Sequence, residues 1–311
     1  MKIVLLDADS IGRDIDISMF SDFGEFVIYG NTAYEEIAGR IEDADIVIVN
    51  KQEVREDTIK NARNLKLVCV TATGINNLDT EYLDKRGIAW RNVAGYSTEA
   101  VAQHTFALAL ALIEHLPYYN DYVKSGKYIG DTSFTHFANS FHELNGMTWG
   151  IIGLGNIGRR VADIAKCFGC NVIYYSASGR PAQEGYRQVS FEELLSSSDI
   201  VSVHAPLNDA TKKLMDKDAF ARMKPSSIFI NVGRGPIVDE EALAWALENN
   251  EICAAGLDVL VKEPMSADSP FAEFKDSNRL IITPHVAWAP VEARTRLMKM
   301  VYKNIEDFLG K

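Results

Sequence analysis

Three short stretches hold side chains suited to one kind of chemistry. They are Asn231-Val232-Gly233-Arg234-Gly235, Gly256-Leu257-Asp258-Val259 followed by Glu263-Pro264, and Thr283-Pro284-His285. The planar fork of an arginine pairs with a carboxylate and can polarise a neighbouring keto oxygen. A histidine, with an ordinary pKa of roughly 6.5, can give a proton to a developing alkoxide near neutral pH. A carboxylate beside that histidine favours the imidazolium and fixes the ring. Together Arg234, Glu263 and His285 can handle a 2-keto acid.

A fourth stretch points to a dinucleotide. Trp149-Gly150-Ile151-Ile152 leads into Gly153-Leu154-Gly155-Asn156-Ile157-Gly158, and a helical pattern follows over 159–168. Gly153 permits a tight turn, Gly155 lets a pyrophosphate approach the backbone, and Gly158 lets the helix pack close to the strand. Amides at the helix start, at Asn156 and Ile157, would face the phosphates. The next strand, 171–175, ends in Tyr175-Ser176, and no carboxylate follows until Glu184. Ser176 is 18 residues beyond Gly158, where an acid that grips the ribose 2′-hydroxyl of NAD is expected at ~20. Ser176 and Ser178 offer hydroxyls without charge, and Arg180 could reach a 2′-phosphate or point into solvent. The expected cofactor is therefore NADP(H), with NAD(H) retained as a second.

These motifs need a scaffold that brings strand ends together. In the first third, short apolar runs at 2–6, 26–29, 45–49, 67–70 and 87–91 alternate with helix-like segments, including 31–42 and 58–62. That alternation predicts β-α units and a parallel sheet. Ser97-Thr98-Glu99 then opens a long apolar helix running to Leu116, before Pro117, which could act as a spacer between domains. Residues 118–145 read as loops and short helices. A second alternation follows, with strands expected at 148–152, 171–175, 200–204, 227–232, 254–258 and 280–283, and clear helices at 191–195 and 240–248. Six strands with crossovers suit a doubly wound sheet, whose ligands bind beyond the carboxyl ends of its strands. The last segment, 290–309, is an amphipathic helix able to return to the first domain.

Bulk properties exclude other classes. The chain has 311 residues, 47% apolar and 24% charged, which is enough for two domains with real cores. A net charge of −11 argues against a nucleic-acid surface, which needs clustered Lys and Arg. The opening MKIVLLDADS reads as a buried strand and not as a signal peptide. No apolar stretch approaches ~18 residues, so a cytoplasmic protein without a membrane partner is expected. Cys167-x-x-Cys170 has redox or zinc spacing, but no second pair and no nearby histidine accompany it. It reads as buried thiols at a helix end, and no metal site is expected.

The set Arg234, Glu263, His285, in this order and behind the glycine motif, resembles the D-isomer-specific 2-hydroxyacid dehydrogenase family over nearly the whole chain. The resemblance implies an α/β chain of two Rossmann-like domains with parallel sheets and the active site in the cleft between them. It implies residues 1–97 and 287–311 as the substrate-binding domain, 98–286 as the dinucleotide-binding domain, and a homodimer. It makes Arg234 the substrate anchor, His285 the acid/base and Glu263 its partner, with Asp258 near the nicotinamide carboxamide. Thr71-Ala72-Thr73-Gly74 looks like the family's carboxylate loop, with the amides of Thr73 and Gly74 as donors. Tyr96 matches an aromatic pocket position, with plain packing as its alternative. His204-Ala205-Pro206 resembles the loop on the adenosine side, with plain packing as the equal alternative for His204, and Val232 and Gly233 resemble nicotinamide-side contacts.

Branches of the family separate on a few positions. The phosphoglycerate branch carries an Arg where Val70 stands, and the formate branch a Gln where Glu263 stands. Pro284-His285-Val286-Ala287-Trp288 and Gly95-Tyr96-Ser97-Thr98-Glu99 look most like the glycerate dehydrogenase/hydroxypyruvate reductase branch. There Trp288 would cap the pocket and favour a small substrate. Hydroxypyruvate and glyoxylate are the expected substrates, with pyruvate, as in D-lactate dehydrogenases, left open. A reading of another class is a dinucleotide-sensing, corepressor-like interaction protein on the same scaffold.

Overall fold

The computed structural model describes residues 1–179, 181–276 and 278–310. It divides into two compact units, Met1–Ser97 with Trp288–Lys311, and Thr98–Ala287.

The first unit is built on β1 (Lys2–Leu5), β2 (Glu25–Ile28), α1 (Tyr34–Arg40), β3 (Ile46–Val49), α2 (Glu56–Ile59), β4 (Leu67–Val70), α3 (Thr80–Lys85) and β5 (Ala89–Arg91). The strands form one parallel sheet in the order β2-β1-β3-β4-β5. The central runs IVIV and LVCV are buried at every position because helices cover both faces of a parallel sheet. One cover is the C-terminal helix, Val291–Leu309. Its Leu297, Met298, Val301 and Ile305 pack with Ile3, Leu5, Ile46 and Ile48. Arg294 anchors its start, donating to the carbonyls of Ile11 (2.8 Å) and Ala289 (2.6 Å) and pairing with Asp14. That ion pair holds the Asp14 carboxyl down at about 2.

At the carboxyl edge of this sheet, the buried Asp7 ties β1 to the loop after β3. Its carboxylate accepts from the amides of Asn50 (2.9 Å), Lys51 (2.7 Å) and Gln52 (3.2 Å). Burial pushes its pKa up, and the three amides work against that. Asn77 extends the tie to the loop after β4, donating to the carbonyls of Asn50 and Gln52.

The second unit opens with α4 (Thr98–Ile113), which ends earlier than the apolar pattern predicts. His115 adopts a left-handed conformation (φ 50°), and Pro117 sits in the first turn of a new helix, α5 (Leu116–Lys124). Proline is tolerated there because the first amides of a helix have no intrahelical acceptor. α4 is a layer of this unit, packed on α6 (Asn156–Cys167) and on the sheet. Cys167 closes α6 and is exposed, unlike the buried thiol expected, while the buried Cys170 donates to the Leu144 carbonyl.

The sheet comprises β6 (Thr148–Ile152), β7 (Asn171–Tyr175), β8 (Arg187–Gln188), β9 (Ile200–Val203), β10 (Ile228–Asn231), β11 (Ala254–Leu257) and β12 (Leu280–Ile282). Its order is β12-β11-β10-β9-β6-β7-β8, all parallel. The two-residue β8 has no apolar run to announce it, which is why six strands are predicted and seven form. α7 (Phe191–Ser197), α8 (Lys217–Ala221) and α9 (Glu240–Glu248) supply crossovers. The order in which strands are added reverses between β6 and β9, so the glycine motif after β6 lies at the topological switch point.

Candidate active site

Each candidate residue of the second unit follows the carboxyl end of a parallel strand. The glycine loop is shaped by contact. A Cβ on Gly153 (φ 93°) would lie 2.7 Å from the Ala205 amide nitrogen, and one on Gly158 would lie 2.2 Å from the Gly153 carbonyl oxygen. Gly155 caps α6, and a Cβ there would meet nothing within 4 Å. The turn is thus closed on the side of 204–206 and open above Gly155, with the first amides of α6, those of Asn156, Ile157 and Gly158, available to an anion. Such a cradle fits a dinucleotide pyrophosphate.

After β7, the Ser176 and Ser178 hydroxyls lie 3.1 Å apart. Arg180 lies outside the described residues. Gln183 ties this loop back to the glycine motif, donating to the Leu154 carbonyl (2.9 Å) and accepting from Arg159 (3.0 Å). Arg159 therefore sets a cation beside the motif, and sequence reading passed over it as an ordinary helix residue.

After β10, Asn231 shapes the turn that presents Arg234. Its side chain accepts from the Gly233 amide (3.0 Å) and donates to the Arg234 carbonyl (3.1 Å), while Val232 is buried. Arg234 is exposed, and its Nη1 donates to the Gly233 carbonyl at 2.8 Å. Among the described residues no carboxylate neutralises it, which suits an anchor for an anionic ligand.

Glu263 and His285 meet. His285 Nδ1 lies 2.6 Å from Glu263 Oε2, and Glu263 Oε1 accepts from the Leu260 amide at 3.0 Å. One carboxylate oxygen is thus held by its own loop, and the other holds the imidazole. That leaves Nε2 as the ring nitrogen that can reach a substrate. Glu240, absent from the sequence reading, accepts from the Val261 amide at 2.7 Å and fastens the same loop. Burial pushes the Glu240 carboxyl up, and the Val261 hydrogen bond opposes that. His285 itself is left-handed (φ 55°), and its amide donates to the carbonyls of Asp258 and Thr283, each at 2.9 Å.

Asp258 is buried. Its Oδ1 accepts from the Thr283 hydroxyl (2.6 Å) and the Val286 amide (2.9 Å), and its Oδ2 from the Ala287 amide (2.9 Å). These bonds fasten it to the turn that carries His285.

In the first unit, Thr73 is exposed after β4. Its hydroxyl donates to the Val93 carbonyl (2.9 Å), and its own carbonyl accepts from Asn92 (2.7 Å). These bonds fix the loop while, among the described residues, the amides of Thr73 and Gly74 have no acceptor. Tyr96 is buried and meets Trp288 edge to face, with ring centroids 6.4 Å apart.

The family model described as D-isomer specific 2-hydroxyacid dehydrogenase, NAD binding domain, matches residues 106–287. The chain belongs to the D-isomer-specific 2-hydroxyacid dehydrogenase family. It is an oxidoreductase acting on a CH–OH group, with a nicotinamide cofactor and a small hydroxy or keto acid as substrate. It is 38% identical to a hydroxypyruvate reductase of Blautia hydrogenotrophica, over 99% of this chain and 97% of that one. It is 34% identical to a glycerate dehydrogenase of Methylorubrum extorquens, over 99% and 96%. Its fold is similar to that of an NADPH-dependent glyoxylate/hydroxypyruvate reductase of Sinorhizobium meliloti, with a TM-score of 0.84, 26% identity and coverage of 99% and 94%. No described helix of the dehydrogenase is long and apolar enough to cross a membrane.

His204 of the dehydrogenase follows β9. Its Nε2 lies 3.0 Å from the Ser202 hydroxyl, which accepts from the Trp149 indole at 2.9 Å. Its Nδ1 is enclosed and, among the described residues, has no partner. Burial pushes its pKa down to about 3. The unfolded chain binds this proton below roughly pH 6.5 and the folded chain does not until about pH 3, so stability falls as pH drops through that window. The melting temperature of the parent should decline more steeply between pH 7 and pH 5 than that of His204→Gln. Parallel curves would show that the ring is solvated.

Proposed function

We propose that the dehydrogenase reduces hydroxypyruvate or glyoxylate, the substrates named for the relatives above, to the D-hydroxy acid or glycolate. The observation that carries this reading is the Glu263–His285 pair at 2.6 Å, together with the exposed Arg234. When bound, the dihydronicotinamide supplies the hydride to the keto carbon. Arg234 pairs with the substrate's carboxylate and keto oxygen and favours negative charge developing there. His285, held through Nδ1 by Glu263, delivers the proton from Nε2 to the nascent alkoxide. In the oxidative direction the same nitrogen takes the proton back. Thr73 and Gly74 offer amides to the carboxylate, and Trp288 with Tyr96 limits the substrate to a short chain. Asp258, Val232 and Gly233 serve the nicotinamide side, and His204, Ala205 and Pro206 the adenosine side.

A panel of hydroxypyruvate, glyoxylate and pyruvate, run separately with NADH and NADPH, should show turnover with the first two. His285→Ala should lower kcat by at least about a hundredfold, in line with the loss of a general acid. Failure of every acid with both cofactors would sink the enzyme reading, and a preference for pyruvate would move it to the lactate type.

NADPH is the proposed preferred cofactor. Ser176 and Ser178 put two uncharged hydroxyls where a carboxylate would repel a 2′-phosphate, and Arg159 stands beside the motif. Ser176→Asp should raise the NADH/NADPH ratio of kcat/KM by about tenfold or more. An unchanged ratio would remove the hydroxyls from cofactor choice.

A homodimer is proposed through the segment after α5. It is held by stacking of Tyr122 on His136, with centroids 3.8 Å apart, yet Ile129, Phe134 and Phe137 are 86%, 92% and 89% exposed. Large apolar side chains this bare offer a surface that the proposed second copy would cover. Light scattering should give twice the chain mass for the parent and a shift to monomer for the Phe134→Ser/Phe137→Ser variant. An unchanged dimer would place the interface elsewhere.

A further inference from the structure

The His285 turn is tied to a helix that no motif connects with catalysis. His104, on α4, places Nε2 2.9 Å from the Thr283 hydroxyl and 3.5 Å from Asp258 Oδ1. Thr283 has a single hydroxyl proton, and besides His104 Nε2 two other acceptors are within its reach. Asp258 Oδ1 lies at 2.6 Å and the Leu257 carbonyl at 3.4 Å. The short contact to a charged oxygen takes the proton. The threonine oxygen is then an acceptor toward His104, which must carry its proton on Nε2. The chain of donation runs from His104 to Thr283 to Asp258, and Asp258 in turn collects the amides of Val286 and Ala287.

This chain matters for two physical reasons. The Asp258 side chain is only 1% exposed, and among the described residues its sole partner of cationic type within ion-pair distance is His104, itself 20% exposed. A buried carboxylate without enough donors is costly, so the threonine hydroxyl must point at it. Second, His285 sits in the left-handed region, which a residue with a side chain enters only when its surroundings hold it there. Both acceptors of its amide, the carbonyls of Asp258 and Thr283, belong to residues of this same chain of bonds. α4 supplies a rigid foundation, since it packs on β10, β11, β12 and α6.

We infer that His104 is a positioning residue for the reaction: through Thr283 and Asp258 it locks the turn 283–287 and so aims His285. The inference rests on His285 being the acid, as proposed above. His104 holds the catalytic imidazole in register without touching substrate.

The test compares His104→Phe, which removes the donor, with His104→Gln, whose amide nitrogen can replace Nε2. In the full-length protein, His104→Phe should lower kcat about tenfold while the KM for the keto acid stays within about threefold, because orientation is lost and not binding. NADPH affinity by fluorescence titration should be unchanged, and His104→Gln should restore most of kcat. Hydrogen exchange followed by mass spectrometry on a peptide covering 283–288 should be faster in the Phe variant and return toward the parent rate in the Gln variant. Parent-like kcat and exchange in His104→Phe would overturn the inference. So would a loss that Gln does not rescue, or one shared equally by KM and NADPH affinity. If the parent turns over no acid in the panel, the functional reading fails separately, and the exchange rates alone then decide whether His104 locks the turn.

Discussion

Parallel pairing is the constraint on which the second unit depends. Seven strands run in one direction, so every connection must cross back over a face of the sheet before the next strand begins. All carboxyl ends then emerge along one edge. Residues 153, 176, 204, 234, 258 and 285 are far apart in the chain but follow neighbouring strands. The price is a sheet buried on both faces, met by runs such as IFIN and IVSV that are buried at every position.

At that edge, the polar groups are held by different devices suited to different tasks. Glu263 is divided between a loop amide and an imidazole, so it orients His285 while itself being oriented. Arg234 hangs from a turn that Asn231 stabilises and keeps its charge exposed. Asp258 is turned inward and spends its carboxylate on the turn that follows β12. Three carboxylates near one edge, those of Asp258, Glu263 and Glu240, accept between them four backbone amides. Placement by main-chain donors depends little on side-chain entropy, which favours a site of fixed geometry.

Much of this was legible in the sequence. The glycine motif was readable because a strand and a helix flank it, and the structure shows why two of its glycines are required: a Cβ at either would collide with main chain. Arg234, Glu263 and His285 were readable because each follows an apolar run. Less was legible where no local pattern exists. β8 is two residues long and polar, and it forms only because β7 presents it an edge. The end of α4 was misplaced because Pro117 signals a boundary but not on which side of it a helix lies.

What the sequence determined by itself was the order of elements and the chemistry of the strand ends, because hydrophobic period, glycine placement and side-chain type are local properties. Only the tertiary structure decided which side chains share a hydrogen bond. His104 and Thr283 are separated by 179 positions, and Glu240 and Val261 by 21. Nothing in either segment alone distinguishes a bonded pair from two solvated residues. The pairing follows from how α4 packs on the sheet and how α9 approaches the loop after β11, and both are set by the burial of apolar surface rather than by the polar groups they bring together.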